Sequence, residues 1–168
     1  MVTTRHVLSD GTAVAIRPIE AGDKQELQDG LHRLSDETIQ RRFLVPKVRF
    51  TRAELRYLTE VDGHDHVALV VESERWPRMI VAVARYVRLN ADPDTAEAAI
   101  VVADALQGLG LGTLLAERLA LAARAHGIER FTAEMLGDNR PAQRLMERLT
   151  AELRDSAPCS DVPSPSPR

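Results

Sequence analysis

AIVVADALQGLGLGTLLAERLALAARA, residues 99–125, is the stretch on which the fold of this chain turns. Ile100-Val101-Val102 is a short β-branched run of the kind that suits a buried strand. Asp104 and Ala105 break it. Gln107-Gly108-Leu109-Gly110-Leu111-Gly112-Thr113 follows, with glycine at every second position, and reads as a turn. Leu114, Leu115, Leu119 and Leu121 then recur at helical spacing, with Glu117, Arg118 and Arg124 between them. The predicted order is strand, glycine turn, helix. The first N–H groups of a helix lack intrahelical partners, and the macrodipole adds roughly half a positive charge there. Glycines let an anion approach the backbone, so such a turn is suited to phosphate.

The spacing decides which phosphate. A dinucleotide fingerprint needs G-x-G-x-x-G, and here the glycines are spaced two and two. A Walker loop needs G-K-[ST], and no lysine stands beside Thr113. A nucleotide-binding α/β domain would also predict a mostly parallel sheet, against which the upstream hairpin signal speaks.

The chain has 168 residues, enough for one domain with a sizeable core. No apolar run approaches the ~20 residues of a membrane span, and residues 1–10 carry no signal-peptide core. Net charge is −3, so no general basic drive toward nucleic acid exists. The single cysteine, Cys159, leaves no intrachain disulfide or thiolate zinc site, and a cytoplasmic setting is expected.

In chain order, Ser9-Asp10-Gly11-Thr12 predicts a hairpin between His6-Val7-Leu8 and residues 13–19, ending near Pro18. Helices are predicted over residues 23–34, over 36–44 behind a Ser35 cap, and after a Thr51–Glu54 capping box. Strands follow over 66–72, 79–88 and 95–102, with turns at 73–78 and, around Pro93, at 90–94. After the central loop and helix come a strand over 129–135 and a last helix with Asn139 as N-cap and Pro141 in its first turn. Residues 1–154 are read as one domain and residues 155–168, rich in Ser and Pro, as a disordered tail.

Gln107-Gly108-Leu109-Gly110-Leu111-Gly112 fits Gln/Arg-x-x-Gly-x-Gly/Ala and resembles the acyl-coenzyme A loop of the GNAT family of N-acetyltransferases. The resemblance covers about residues 5–150 and includes Asp138-Asn139-Arg140-Pro141, similar to the segment that opens the family's last helix. Several stretches look like the bacterial Pat-type protein lysine acetyltransferases: Leu34-Ser35 with Arg42-Phe43, residues 53–63, His66-Val67-Ala68-Leu69, and Ala96-Glu97. The implied fold is α/β (α+β), a mixed, mostly antiparallel sheet flanked by helices.

The resemblance also implies roles. Gln107, Gly108, Leu109, Gly110, Leu111, Gly112 and Thr113 would hold the coenzyme pyrophosphate. Val101 and Val102 would offer main-chain groups to the pantetheine arm, and Asn139 would meet the coenzyme near the thioester. Glu97 stands where the Pat-type enzymes carry a general base; its alternative reading is an exposed charge on a strand face. Glu60, Asp62, Glu72 and Glu134 are rival carboxylates. His64 and His66 flank Asp65 with no third ligand in view, so no metal is expected. Tyr57 and Tyr86 read as core or rim. Arg41 and Arg42 could reach a coenzyme phosphate or line a solvated helix face. Expected partners are acetyl-coenzyme A and an amine acceptor, a protein lysine or a small molecule.

Two departures from the family stand out. Met146, seven residues after Asn139, occupies the place of a tyrosine that protonates the leaving thiolate. The family's closing hairpin is reduced to residues 151–154 (AELR), so the C-terminal hairpin reads as truncated. An unpaired sheet edge would follow, open to a homodimer. A non-catalytic acyl-coenzyme A-binding module is the alternative function.

Overall fold

The computed structural model describes residues 2–44 and 46–154. The tail expected over 155–168, with Cys159, lies outside the described residues. The elements run β1 (Thr4–Val7), β2 (Ala13–Pro18), α1 (Lys24–His32), α2 (Asp36–Phe43), α3 (Arg52–Thr59), β3 (His66–Ser73), β4 (Trp76–Leu89), β5 (Asp92–Val102), α4 (Leu111–Ala125), β6 (Arg130–Thr132) and α5 (Arg140–Arg154). Short 3-10 turns precede α1 at Ala21–Asp23 and follow β5 at Asp104–Leu106.

The strands form one sheet in sequence order. Every pairing is antiparallel except β5 with β6. Local chemistry accounts for the boundaries. Ser35 Oγ accepts from the Thr38 N–H at 3.2 Å and starts α2. Thr51 and Glu54 exchange capping bonds at α3. Pro18 ends β2, opposite Leu69.

The two sheet faces carry different cores. Ala82, Ala84 and Tyr86 of β4 and Ala96 and Ala98 of β5 face a cluster built on Leu111, Leu115 and Leu119 of α4 and on Leu149 and Leu153 of α5. Leu111, Leu115 and Leu119 are each at most 1% exposed, and full burial of a leucine stabilises by about 1.5–3 kcal/mol. Val83 and Val101 turn the other way, into a smaller cluster with Leu27 of α1 and Ala68 and Val70 of β3.

Four boundaries differ from the sequence reading. The β3–β4 turn is tighter than residues 73–78, because Ser73 already pairs with Trp76 across shifts of register at Glu72. The next turn is tighter too: Leu89 pairs with Asp92, and Pro93 lies inside β5, where a register shift at Arg88/Leu89 accommodates it. Ala151–Arg154 is the last turn of α5 and not a strand, since Leu149 and Leu153 continue one buried helical stripe. Finally, β6 stops at Thr132, well before Met135, because its partner diverges from it.

Candidate active site

That divergence builds the site. Thr95, Ala96 and Glu97 of β5 pair with Arg130, Phe131 and Thr132 of β6, and there the parallel pairing ends. On its other side β5 stays paired with β4 as far as Val102. Residues 98–102 therefore have one open edge.

Two hydrogen bonds show which main-chain groups face that edge. The Ala103 N–H donates to the Val81 carbonyl, so odd-numbered positions at this end of β5 turn toward β4. The Glu129 N–H donates to the Asp94 carbonyl, so even-numbered positions turn toward the β6 side. The Glu97–Thr132 pairing uses the N–H of Ala98, so the groups left without a strand partner are the Ala98 carbonyl and both groups of Ile100. The Val102 carbonyl also faces outward and accepts from Gln107 Nε2 at 3.0 Å. Val101, expected from the sequence to offer its main chain, has those groups committed to Val83 of β4. Sequence alone left Ala98 and Ile100 unmarked, because strand parity depends on the register of the partner.

Beyond β5 the chain turns through Gly108 (φ +77°) and Gly110 (φ +86°), which caps α4. A Cβ at either would meet nothing within 4 Å, so both glycines are required by backbone conformation and the space above them is open. No side chain caps α4, and no acidic residue sits in its first turn. The first intrahelical acceptor is taken by Leu114 N–H, bonded to Gly110 O. The amides of Leu111, Gly112 and Thr113 thus remain at a positive helix end, an arrangement that fits a diphosphate. Gly112 has a further reason: a Cβ there would come within 3.3 Å of the Leu145 methyls, so this glycine lets α5 pack on α4. Leu109 is half-buried against the α4–α5 core. Gln107 is exposed, and its Nε2 also lies 3.3 Å from Thr38 Oγ1.

Asp104 fastens this turn to α2. It accepts from Ser35 N–H (2.9 Å), Ser35 Oγ (2.8 Å) and Thr38 Oγ1 (2.7 Å). Desolvation opposes its charge, but these hydrogen bonds prevail and hold its carboxyl below the usual range. Asn139 is 7% exposed, and its Oδ1 accepts from the Ala142 N–H at 3.2 Å, capping α5. Met146 packs against the core cluster under α4.

Glu97 stands at the fork, in the last β5–β6 register pair, opposite Val87 of β4. Its neighbours Ala96 and Ala98 point into the α4 core, so Glu97 projects from the opposite face, and it is exposed. The rival carboxylates hold other positions. Asp62 accepts from the N–H groups of His64, Asp65 and His66. Glu60 pairs with Lys24, and Glu72 with Arg17. Glu134 is exposed, beyond the end of β6.

Charged and aromatic side chains from α2, α3 and β3 surround Glu97's face. Arg41 pairs with Glu37 along α2 at 2.6 Å. Arg42, half-buried, lies over the Phe43 ring at 5.2 Å and is near enough to Glu97 to feel its charge. Its desolvation outweighs that attraction and lowers its proton affinity. Arg85 Nη1 donates to His66 Nε2 at 3.3 Å, and Nη2 to the Leu58 carbonyl at 3.3 Å. Burial, with the Arg85 charge beside it, pushes His66 down to about 4, so the ring is neutral and accepts through Nε2. Tyr57 stacks on His66 with centroids 4.9 Å apart and is exposed, whereas Tyr86 is fully buried. Beside this group, α1, α2, β4 and the end of β5 enclose a mostly apolar cavity of about 370 Å³, lined by Leu27, Leu31, Phe43, Phe50, Ile80 and Val101 among others.

Residues 31–150 match the acetyltransferase (GNAT) family. The chain belongs to that family. The GNAT chain is 39% identical over 137 residues to the acetyltransferase Pat of Mycolicibacterium smegmatis, a match that covers 81% of this chain and 40% of Pat. It is 31% identical over 147 residues to an acetyltransferase of Pseudomonas aeruginosa, covering 87% and 76% of the two chains. Among solved structures it is similar to the GNAT domain of S. lividans PAT, with a TM-score of 0.80, 32% identity, and 88% and 86% of the two chains covered. The α/β fold with a mixed six-stranded sheet is thus that of the GNAT family, as the glycine loop implied. The chain spans less than half the length of the mycobacterial relative. No helix among the described residues is long and apolar enough to cross a membrane.

Proposed function

We propose that this GNAT domain transfers an acetyl group from acetyl-coenzyme A to a primary amine by direct attack. The observation that carries this is the position of Glu97: an exposed carboxylate in the last row before the β5 edge opens. Acetyl-coenzyme A is the co-substrate. The amides at the start of α4 would take its diphosphate, and the outward main-chain groups of Ala98 and Ile100 would take its pantetheine arm.

The chemistry needs a base. A lysine amine has a pKa of about 10.4, so near neutrality only roughly one in a thousand is uncharged, a deficit of about 4 kcal/mol. Glu97 accepts the amine proton as the new C–N bond forms and the C–S bond breaks. The thiolate leaves without a tyrosine acid, since Met146 holds that place; a thiol pKa near 8.5 makes this tolerable.

The acceptor is a protein lysine. The identity to the Pat proteins supports this, as does the exposure of Glu97, which a long side chain can reach from solvent. A small amine with an apolar body is the second reading, favoured by the 370 Å³ cavity beside β5.

Calorimetry with acetyl-coenzyme A, followed by thiol release over a panel of amines, tests the proposal. Glu97→Gln is expected to bind the coenzyme and to lose about 10²- to 10⁴-fold in turnover. Undiminished turnover removes Glu97 as the base. Absence of binding at millimolar coenzyme removes the whole reading, and binding with no acceptor turning over favours a sensor.

A further inference from the structure

Buried leucines hold α1, α4 and α5 to the sheet, but none of the eight residues of α2 is buried. A helix that short is marginal by itself in water, where about 12–15 residues are needed. Its far end is strained as well. Leu44 closes α2 at φ +61°, a left-handed conformation that costs a leucine about 1–2 kcal/mol.

What holds α2 is its start. Asp104 turns both carboxylate oxygens toward it: Oδ1 accepts from Ser35 Oγ (2.8 Å) and Thr38 Oγ1 (2.7 Å), and Oδ2 from the Ser35 N–H (2.9 Å). A carboxylate at a helix start also answers the macrodipole. Thr38 Oγ1 in turn accepts from Gln107 Nε2, so this hydroxyl is used as donor and as acceptor. Asp104 and Gln107 flank the buried Leu106, in the turn that leads from β5 to the free amides of α4. Gln107 Nε2 also binds the Val102 carbonyl on the open edge. One clasp therefore joins α2 to the turn assigned to the coenzyme.

The face that α2 covers is the acceptor's. Phe43, at the end of α2, lines the cavity of about 370 Å³ together with Val101, and its ring meets Phe50 edge-on at 5.8 Å. Val101 and Glu97 are odd-numbered positions of one strand and project from the same face of the sheet. An amine bound for Glu97 approaches on the side that α2 walls.

We propose that Asp104 is a positioning residue for the transfer reaction: its clasp on Ser35 and Thr38 makes the placement of α2 depend on the coenzyme turn, and so couples the coenzyme site to the acceptor side. The assignment rests on the reading of the α4 start as the coenzyme site. A filled diphosphate site fixes the turn over residues 107–113, and the fixed turn holds Asp104 against α2. By linkage, a closed α2 holds the coenzyme more tightly. Asp104 acts through α2 and touches no reacting atom.

Amide hydrogen exchange over residues 36–43 of the full chain, with and without saturating acetyl-coenzyme A, tests the coupling. These residues supply no group to the coenzyme, so their exchange reports the clasp. Binding is expected to slow it about tenfold in the native chain. Asp104→Ala is expected to abolish the slowing and to bind acetyl-coenzyme A more weakly by up to the same factor, as reciprocity requires. Thr38→Val, which deletes one hydroxyl of the clasp, is expected to lose most of the slowing, and Thr38→Ser to keep it. Bound coenzyme with unchanged exchange in the native chain, or equal slowing in Asp104→Ala, overturns the coupling and leaves the coenzyme site standing. Absence of calorimetric binding at millimolar acetyl-coenzyme A overturns the coenzyme reading and the coupling with it.

Discussion

The two halves of β5, the polar DPDTAE of residues 92–97 and the apolar AAIVV of residues 98–102, meet opposite fates. In the first half Ala96 and Glu97 are held on both sides, by β4 and by β6. Beyond the Ala98 N–H, residues 98–102 are held on one side only, and the even-numbered main-chain groups there have no strand to bond. An unpaired main chain in a sheet is ordinarily a liability. Here it lies next to a helix start with free amides, and the two together make a continuous polar lining for an extended, anionic ligand. The paired half carries the acid and the open half carries the cradle. The site needs both, and Glu97 sits on the boundary.

Several experiments would break or sharpen that contrast. The largest effect is expected from Val101→Pro. Its N–H belongs to the β4 ladder, and its loss should destabilise the fold by about 3 kcal/mol or more. Ile100→Pro removes an N–H that faces the open edge. It should unfold at distinctly higher denaturant than Val101→Pro and yet lose coenzyme affinity. Equal stability losses for the two variants would mean that the halves are not distinguished by parity.

A smaller effect tests the packing behind the paired half, where His66, Val87, Glu97 and Thr132 share one row. His66 is pushed from 6.5 down to about 4, first by burial and then by Arg85. The fold therefore favours the neutral ring. That contribution is complete above pH 6.5 and is lost as pH falls toward 4, on the order of 2 kcal/mol. Denaturant midpoints measured across this window should drop for the native chain and stay flatter for His66→Phe.

The smallest effect separates two glycines of the loop. Gly110→Ala forces a Cβ into φ +86°, at roughly 1–2 kcal/mol, and should weaken acetyl-coenzyme A binding several-fold. In Gly112→Ala the gain in helix propensity, about 1 kcal/mol, opposes the crowding of Leu145. Stability should change by less than about 1 kcal/mol, with little effect on binding. A reversed order would make Gly112 the anion contact and Gly110 the structural residue.

Much of this was legible in the residues. The hairpin at Asp10-Gly11, the caps at Ser35, Thr51 and Asn139, and the strand–glycine–helix order are local features, decided by side chains a few positions apart, and the structure has them where they were read. Misreadings fell where distant partners decide. Residues 133–135 have a strand-like composition but no neighbour to pair with. Residues 151–154 were weighed as a strand and continue a helix, because Leu153 completes a stripe buried against the core. Gly112 keeps its amide at the helix start, and its missing side chain also makes room for Leu145 of α5, a crossing that spacing along the chain does not mark.

The sequence by itself determined the family, the order of the elements and the presence of a helix start with free amides, because these depend on propensity, capping and spacing along the chain. Only the tertiary structure decided which main-chain groups of β5 face the cleft and that Glu97 stands at the fork. Those facts depend on the register between strands and on where β6 departs from β5, and register is set by packing across the whole sheet.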